Sequence, residues 1–195
     1  AFLREFFRPT DGPKKTMGFA PAGKPADNTA GVRPPMVVDA DALRILAELP
    51  DGIAGLPAHS VFTPHPGEMA ALTGLTIADI QADRTGTALR FAKEWNVVVV
   101  LKGAFTVAAA PDGRCAIEPF ATAALARAGT GDVLAGVIGG LLAQGVESWQ
   151  AAVVGAYLHG LAGELAAAGA GSTDSILTRE IANHLQQAIA DLRGR

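Results

Sequence analysis

A single cysteine, Cys115, stands in the 195-residue chain, so no internal disulfide can form and no thiol pair offers metal-ligand spacing. A basic excess is lacking too. Sixteen lysines and arginines against 19 acids leave a net charge of −3, which argues against a general nucleic-acid binder. Long hydrophobic runs are scarce: the longest, Val133 to Ala143, is broken by three glycines and falls short of the ~20 residues of a bilayer span. The first residues do not read as a signal peptide, because Arg4, Glu5 and Arg8 interrupt Phe2, Leu3, Phe6 and Phe7. These absences point to a reducing, cytoplasmic setting without a membrane partner. What is present is a globular composition, 49% hydrophobic and 18% charged, long enough for one domain with a real core.

Residues 8–35 hold six of the twelve prolines and few large apolar side chains. Segment 1–35 therefore reads as an irregular linker or insertion, and the orderly pattern occupies 36–195. Short apolar runs at 36–39 and 61–63 predict buried strands. Val97 to Leu101, five apolar residues without alternation, predicts a central strand covered on both faces. Helices are expected from Asp41 as cap, from Pro66 to about Gly74, from about Ile77 to Trp95 without interruption, near 130–144 and 148–168, and from Thr178 as cap. Pro111-Asp112-Gly113 between two short apolar runs predicts a hairpin. The alternation implies an α/β fold with a mostly parallel sheet between helical layers, whose ligands bind beyond the carboxyl ends of the strands.

Four segments carry the chemistry. Ala128-Gly129-Thr130-Gly131-Asp132 precedes an apolar helix, so its N–H groups and helix dipole suit a phosphate. An acid beside a phosphate needs a task, such as taking a proton from an attacking hydroxyl. Asp132 equally suits the first turn of an ordinary helix. In Thr63-Pro64-His65-Pro66-Gly67-Glu68, two prolines fix the backbone around His65, while Glu68 either caps the helix or organises a metal through water. Lys102, at the end of the valine strand, is placed to meet phosphates, and Gly103 admits a ligand to the backbone. Asp39 ends a strand facing the same crevice; with Glu68 it is a candidate for Mg²⁺. His159, among apolar neighbours, reads as a packing histidine, and Gly136 and Gly140 as positions of close helix packing.

Taken together and in order, VVDADAL (37–43), TPHPGEMAALTG (63–74), VVVLKGAFTV (98–107), AGTGDVLAG (128–136) and YLHGLAGELA (157–166) resemble the ADP/ATP-dependent NAD(P)H-hydrate dehydratase family. The resemblance implies a ribokinase-like three-layer α/β/α fold with an added antiparallel hairpin. It implies an enzyme that restores the 6S hydrates of NADH and NADPH at the expense of ADP or ATP, with Mg²⁺. Phosphorylation of the ring hydroxyl makes it a leaving group. It assigns His65 and Asp132 to the hydrate, with Asp132 as base. Lys102, Gly103, Ala104, Phe105, Thr106 and Gly131 are assigned to the nucleotide, and Gly129 and Thr130 join them as parts of the phosphate turn. It also implies a homo-oligomer, a tetramer among the forms expected. The family's strand–helix region before VVDADAL has no counterpart pattern in 1–35, so the chain is expected to lack the N-terminal part of the domain. Two other readings stay open: a ribokinase-like kinase of a vitamin-precursor alcohol or a sugar, and a nucleotide-binding fragment without activity.

Overall fold

The computed structural model describes residues 33–49 and 52–194. Segment 1–35 therefore lies outside the described residues except for 33–35, which carry no helix or strand. Strand–helix alternation begins with β1 (Val37–Val38) and α1 (Asp41–Glu48). It continues through β2 (Val61–Phe62), α2 (Pro66–Thr73), α3 (Ile77–Ala82) and α4 (Arg84–Trp95) to β3 (Val98–Leu101). The hairpin β4 (Val107–Ala109) and β5 (Cys115–Ile117) follows, then a 3₁₀ turn at Ala123–Leu125. Three helices close the chain: α5 (Thr130–Ala143), α6 (Ser148–Ala170) and α7 (Thr178–Arg193).

The five strands lie in the order β1-β2-β3-β4-β5. The first three pair in parallel, with Val61 beside Val37 and Val98. The hairpin pairs antiparallel, with Leu101 opposite Val107 and Val107 opposite Ile117. Every residue of β3 is buried, as its unbroken apolar run predicts. The pleat sends alternate side chains to opposite faces. Val61, Val98, Val100 and Ala108 pack against Leu134 and Ile138 of α5 and Ala152 and Ala156 of α6. Val38, Phe62, Val99 and Leu101 pack on the other face against α1 to α4. The sheet is thus the middle of three layers. A further cluster joins α6 to α7 through Leu158, Leu161, Ile181 and Ala188.

Several local expectations change. The helix expected across 77–95 is two helices, because Asp83 leaves helical geometry (φ −140°, ψ 75°) and its carboxylate accepts from Gly86 N at 2.8 Å. Apolar periodicity runs on through that break, so it hides the cap. Asp41 is not a cap: Ala40 occupies that place with φ 51°, and no side chain caps α1. Thr178 is inside α7, and its hydroxyl donates instead to Ala128 O at 2.8 Å; Glu180 accepts from Leu177 N at the helix start. Gly136 and Gly140 meet nothing within 4 Å of a built Cβ, so among the described residues they admit no close helix.

Among the described residues, α6 is the one helix long and apolar enough, by length and composition, to cross a membrane. Gly155, His159 and Glu164 interrupt its sequence, so no unbroken apolar run marks it. Here it is the central helix, packed on α5, α7 and the sheet. Its glycines are seats: a Cβ at Gly160 would lie 2.1 Å from the Phe120 ring, and one at Gly163 2.7 Å from Leu125. Both seated side chains belong to the 118–126 loop, which α6 thereby holds in place.

Replacing Asp83 by Ala leaves Gly86 N without its acceptor. The expected outcome is a loss of ~1 kcal/mol, seen as a lower denaturant midpoint at unchanged slope. An unchanged midpoint would show that the cap contributes nothing.

Candidate functional site

The parallel strands β1, β2 and β3 end on one side of the sheet, and each hands a polar residue to the same place. Backbone bonds carry the register one step past the strands: Thr63 N donates to Val38 O at 3.1 Å, and Lys102 N to Pro64 O at 2.8 Å. Asp39, the 63–68 turn and Lys102 are therefore neighbours by strand pairing alone. Ala40, next to Asp39, sits at a positive φ that a non-glycine residue rarely adopts, and this strained turn swings the chain into α1.

The Lys102 ammonium lies 2.6 Å from Asp39 Oδ1 and 3.6 Å from Glu68 Oε2, with all three side chains mostly buried. Glu68 also caps α2, its Oε2 accepting from His65 N at 2.7 Å. The reciprocal half of that capping box is His65 Nδ1, which accepts from Gly67 N at 3.0 Å and Glu68 N at 3.2 Å. A ring nitrogen that accepts two backbone N–H groups carries no proton, so the neutral ring holds its proton on Nε2. Nε2 lies 3.4 Å from Glu68 Oε1 on a half-exposed ring, leaving a directed donor near the cluster.

The glycine turn closes the site from α5. Gly129 takes φ 88°, and Thr130 points its hydroxyl inward to Leu125 O at 2.8 Å and Arg127 O at 2.9 Å. Thr130 thus shapes the turn through its side chain. A Cβ at Gly131 would lie 3.3 Å from Lys102 Nζ and 3.5 Å from Asp39 Oδ2, so glycine lets α5 approach the charge cluster. Asp132 follows, exposed: its N–H donates to Gly129 O at 3.1 Å, and its carboxylate makes no hydrogen bond or ion pair among the described residues. The helix N-terminus and the ammonium add their positive potentials at this point.

Behind Lys102 opens a cavity of about 260 Å³. Lys102, Gly103, Ala104, Thr106, Thr130 and Gly131, all assigned to the nucleotide on the resemblance, line it. Phe105 and Gly129 do not; Phe105 stands out at φ 54° while its N–H holds Phe120 O at 2.8 Å. His65 and Asp132 also lie outside it. Glu118 and His159 line it and were not singled out as site residues from the sequence. Glu118 sits just past β5 with no motif around it, and His159 looks like one polar residue in a core helix. Both are buried, and Glu118 Oε1 and His159 Nε2 have no hydrogen-bond partner among the described residues. Burial pushes Glu118 up to about 7 and His159 down to about 4. The nearby Thr130 backbone works against that drop, and the Lys102 charge adds to it. Arg84 was missed as well: its guanidinium donates to Leu101 O at 2.9 Å and lies under the Gly103 turn. Its position at the hidden break between α3 and α4 explains why.

No group of three or more His, Cys, Asp or Glu side chains among the described residues could hold a metal. Asp39 and Glu68, the candidates for Mg²⁺, are turned onto the Lys102 ammonium. The described residues supply no protein cage for the ion.

The three layers, the parallel strand ends and the glycine turn against them define a ribokinase-like α/β domain. The chain belongs to the NAD(P)H-hydrate dehydratase family, whose model matches residues 18–187. It is 52% identical over 136 residues to the bifunctional NAD(P)H-hydrate repair enzyme Nnr of Moorella thermoacetica, covering 70% of this chain and 26% of that one. It is 44% identical over 154 residues to the ADP-dependent (S)-NAD(P)H-hydrate dehydratase of Neisseria meningitidis, covering 76% and 51%. The ADP/ATP-dependent NAD(P)H-hydrate dehydratase of Bacillus subtilis, co-crystallized with ATP/Mg²⁺, superposes with a TM-score of 0.71 at 34% identity, covering 80% of this chain and 55% of that one. The chain thus spans about half or less of the length of these relatives.

The two buried groups act on stability with opposite signs. Glu118 has a folded pKa above its ordinary 4.5, so its contribution is complete below about 4.5 and fades as pH rises to about 7. His159 has a folded pKa below 6.5, so its contribution is complete above about 6.5 and fades as pH falls to about 4. Unfolding free energies of Glu118→Gln, measured between pH 4 and 7, should therefore rise more steeply with pH than those of the parent chain. Parallel curves would place Glu118 in contact with solvent.

Proposed function

We propose that the chain carries the nucleotide-phosphate half of an enzyme that dehydrates the 6S hydrates of NADH and NADPH at the expense of ADP or ATP. One observation carries the reading: Lys102, Asp39, Glu68 and Gly131 converge beside an unpaired Asp132, in a chain of the hydrate dehydratase family. Phosphates of the nucleotide meet Lys102 and the first turn of α5. The Lys102, Gly103, Ala104, Thr106 and Gly131 positions line its path, with Phe105 and Gly129 holding the turns that form it. Asp132 takes the proton of the ring hydroxyl. The hydroxyl oxygen bonds to the terminal phosphorus as the bond to the leaving nucleotide breaks. The carbon–oxygen bond then breaks with phosphate as leaving group, a proton leaves the neighbouring ring carbon, and the double bond returns. His65 Nε2–H orients the hydrate. Magnesium, if it comes bound to the nucleotide, would supply neutralisation of phosphate charge. A cytoplasmic homo-oligomer, a tetramer among its forms, belongs to the same reading.

The test supplies hydrated NADH, ADP and Mg²⁺ and follows the return of reduced-nicotinamide absorbance. Turnover of the chain within its full-length parent is expected, and none would sink the reading. In that parent, Asp132→Asn should lower kcat by at least about a hundredfold while ADP affinity changes less than threefold. Unaltered kcat would remove Asp132 from the proton transfer. Calorimetry with ADP beside the same assay on the present chain separates nucleotide binding from turnover, and so decides whether the chain acts alone.

A further inference from the structure

We infer that Arg84 is the positioning residue of the Lys102–Thr106 turn: its guanidinium holds the end of β3 and the underside of Gly103, and so sets where Lys102 meets phosphate. The inference rests on the nucleotide reading above and adds to it a residue, outside the cavity, on which that site depends.

The break between two helices puts the side chain there. Asp83 ends α3 and caps α4, which makes Arg84 the first residue of α4. A cation fits poorly at that point, because the helix dipole is positive there and no acid occupies the first turn. The Asp83 carboxylate is engaged with Gly86 N at 2.8 Å. Arg84 makes no ion pair among the described residues. It is also half-buried, so the charge has lost water without gaining an acid. A placement that unfavourable calls for contacts that need a guanidinium.

Those contacts are all with the turn after β3 or its approach. Nη2 donates to Leu101 O at 2.9 Å, and Nη1 to Gln81 Oε1 at 2.9 Å. A Cβ at Gly103 would lie 2.9 Å from Nη1, 3.0 Å from Nη2 and 3.2 Å from Cζ. Three near-equal distances lay the flat face of the fork against Gly103, while its edge holds the strand end. Arg84 itself does not line the cavity, whereas Lys102, Gly103, Ala104 and Thr106 do. It reaches the ligand's place only through glycine. The rest of the turn is tied elsewhere: Lys102 N to Pro64 O at 2.8 Å, Thr106 Oγ1 to Gly103 O at 3.0 Å, Phe105 N to Phe120 O at 2.8 Å. Support beneath Gly103 comes from Arg84. A lysine at 84 keeps the charge but offers no plane to Gly103 and no fork.

The experiment titrates ADP and adenosine into the chain and into Arg84→Lys by calorimetry with Mg²⁺ present. ADP affinity should fall at least about tenfold in the variant, adenosine affinity less than about threefold, with the circular-dichroism spectrum retained. Adding Arg84→Lys to Lys102→Met should cost no more than about threefold beyond Lys102→Met alone, since residues that act as a unit are not additive. Without nucleotide, amide exchange at Phe105 should quicken in Arg84→Lys while exchange at Ala108 within β4 stays the same. Unchanged ADP affinity would overturn the inference and make Arg84 a brace of α4 on β3. An equal loss for adenosine would overturn it by spreading the effect over the whole cavity. Full additivity with Lys102→Met, or unchanged exchange at Phe105, would overturn it by showing that Arg84 does not act through the turn. Absence of ADP binding by the parent chain would overturn the nucleotide reading and this inference with it.

Discussion

One charge organises this molecule: the Lys102 ammonium between Asp39 and Glu68. Its partners come from the ends of three adjacent parallel strands, or from the turn that follows one, so the contact ties β1, β2 and β3 at their carboxyl ends. Mostly buried charges of this kind cost desolvation, which only good geometry and further hydrogen bonds offset. Here the further bond is present, since Glu68 also accepts from His65 N and thereby fixes the start of α2. Two carboxylates share one ammonium, and the exposed Asp132 adds a third acid next to Gly131. Such a cluster is unlike a purely structural ion pair, which would balance its charges. On the proposed reading, an incoming polyphosphate competes with the carboxylates for Lys102.

The same cluster separates two compartments. His65 and Asp132 lie outside the cavity and suit a substrate with a hydroxyl. The cavity lined by Glu118 and His159 lies behind Lys102. Gly131 touches both through its approach to Lys102 and Asp39. On the proposed reading the transferred phosphoryl group has its place where the compartments meet, and α6 shapes the inner one by seating Phe120 and Leu125 on Gly160 and Gly163.

Much of this is legible in the residues because strand ends and turns have local chemistry. The unbroken Val97–Leu101 run marked the central strand, and Lys102 after it was bound to face the crevice. Prolines around His65 marked the helix start, and Pro111-Asp112-Gly113 the hairpin. Other features depend on contacts across the sequence. Asp83 breaks a helix whose apolar period continues past it. Thr178 reaches Ala128, fifty residues away, instead of capping its own helix. Glu118 and His159 look like a loop acid and a core histidine until the 118–126 loop folds over α6. Gly136 and Gly140 look like packing glycines, yet nothing among the described residues approaches them.

The organising role of Lys102 is most directly tested by ADP affinity in Lys102→Met, a change that keeps the apolar stem and removes the charge. Titration calorimetry should show at least about a tenfold loss relative to the parent chain, since a charge-assisted contact to phosphate is lost at a mostly buried position. Equal affinity of the two chains would contradict it, and would make the Lys102 cluster a brace between strands with no part in binding the nucleotide.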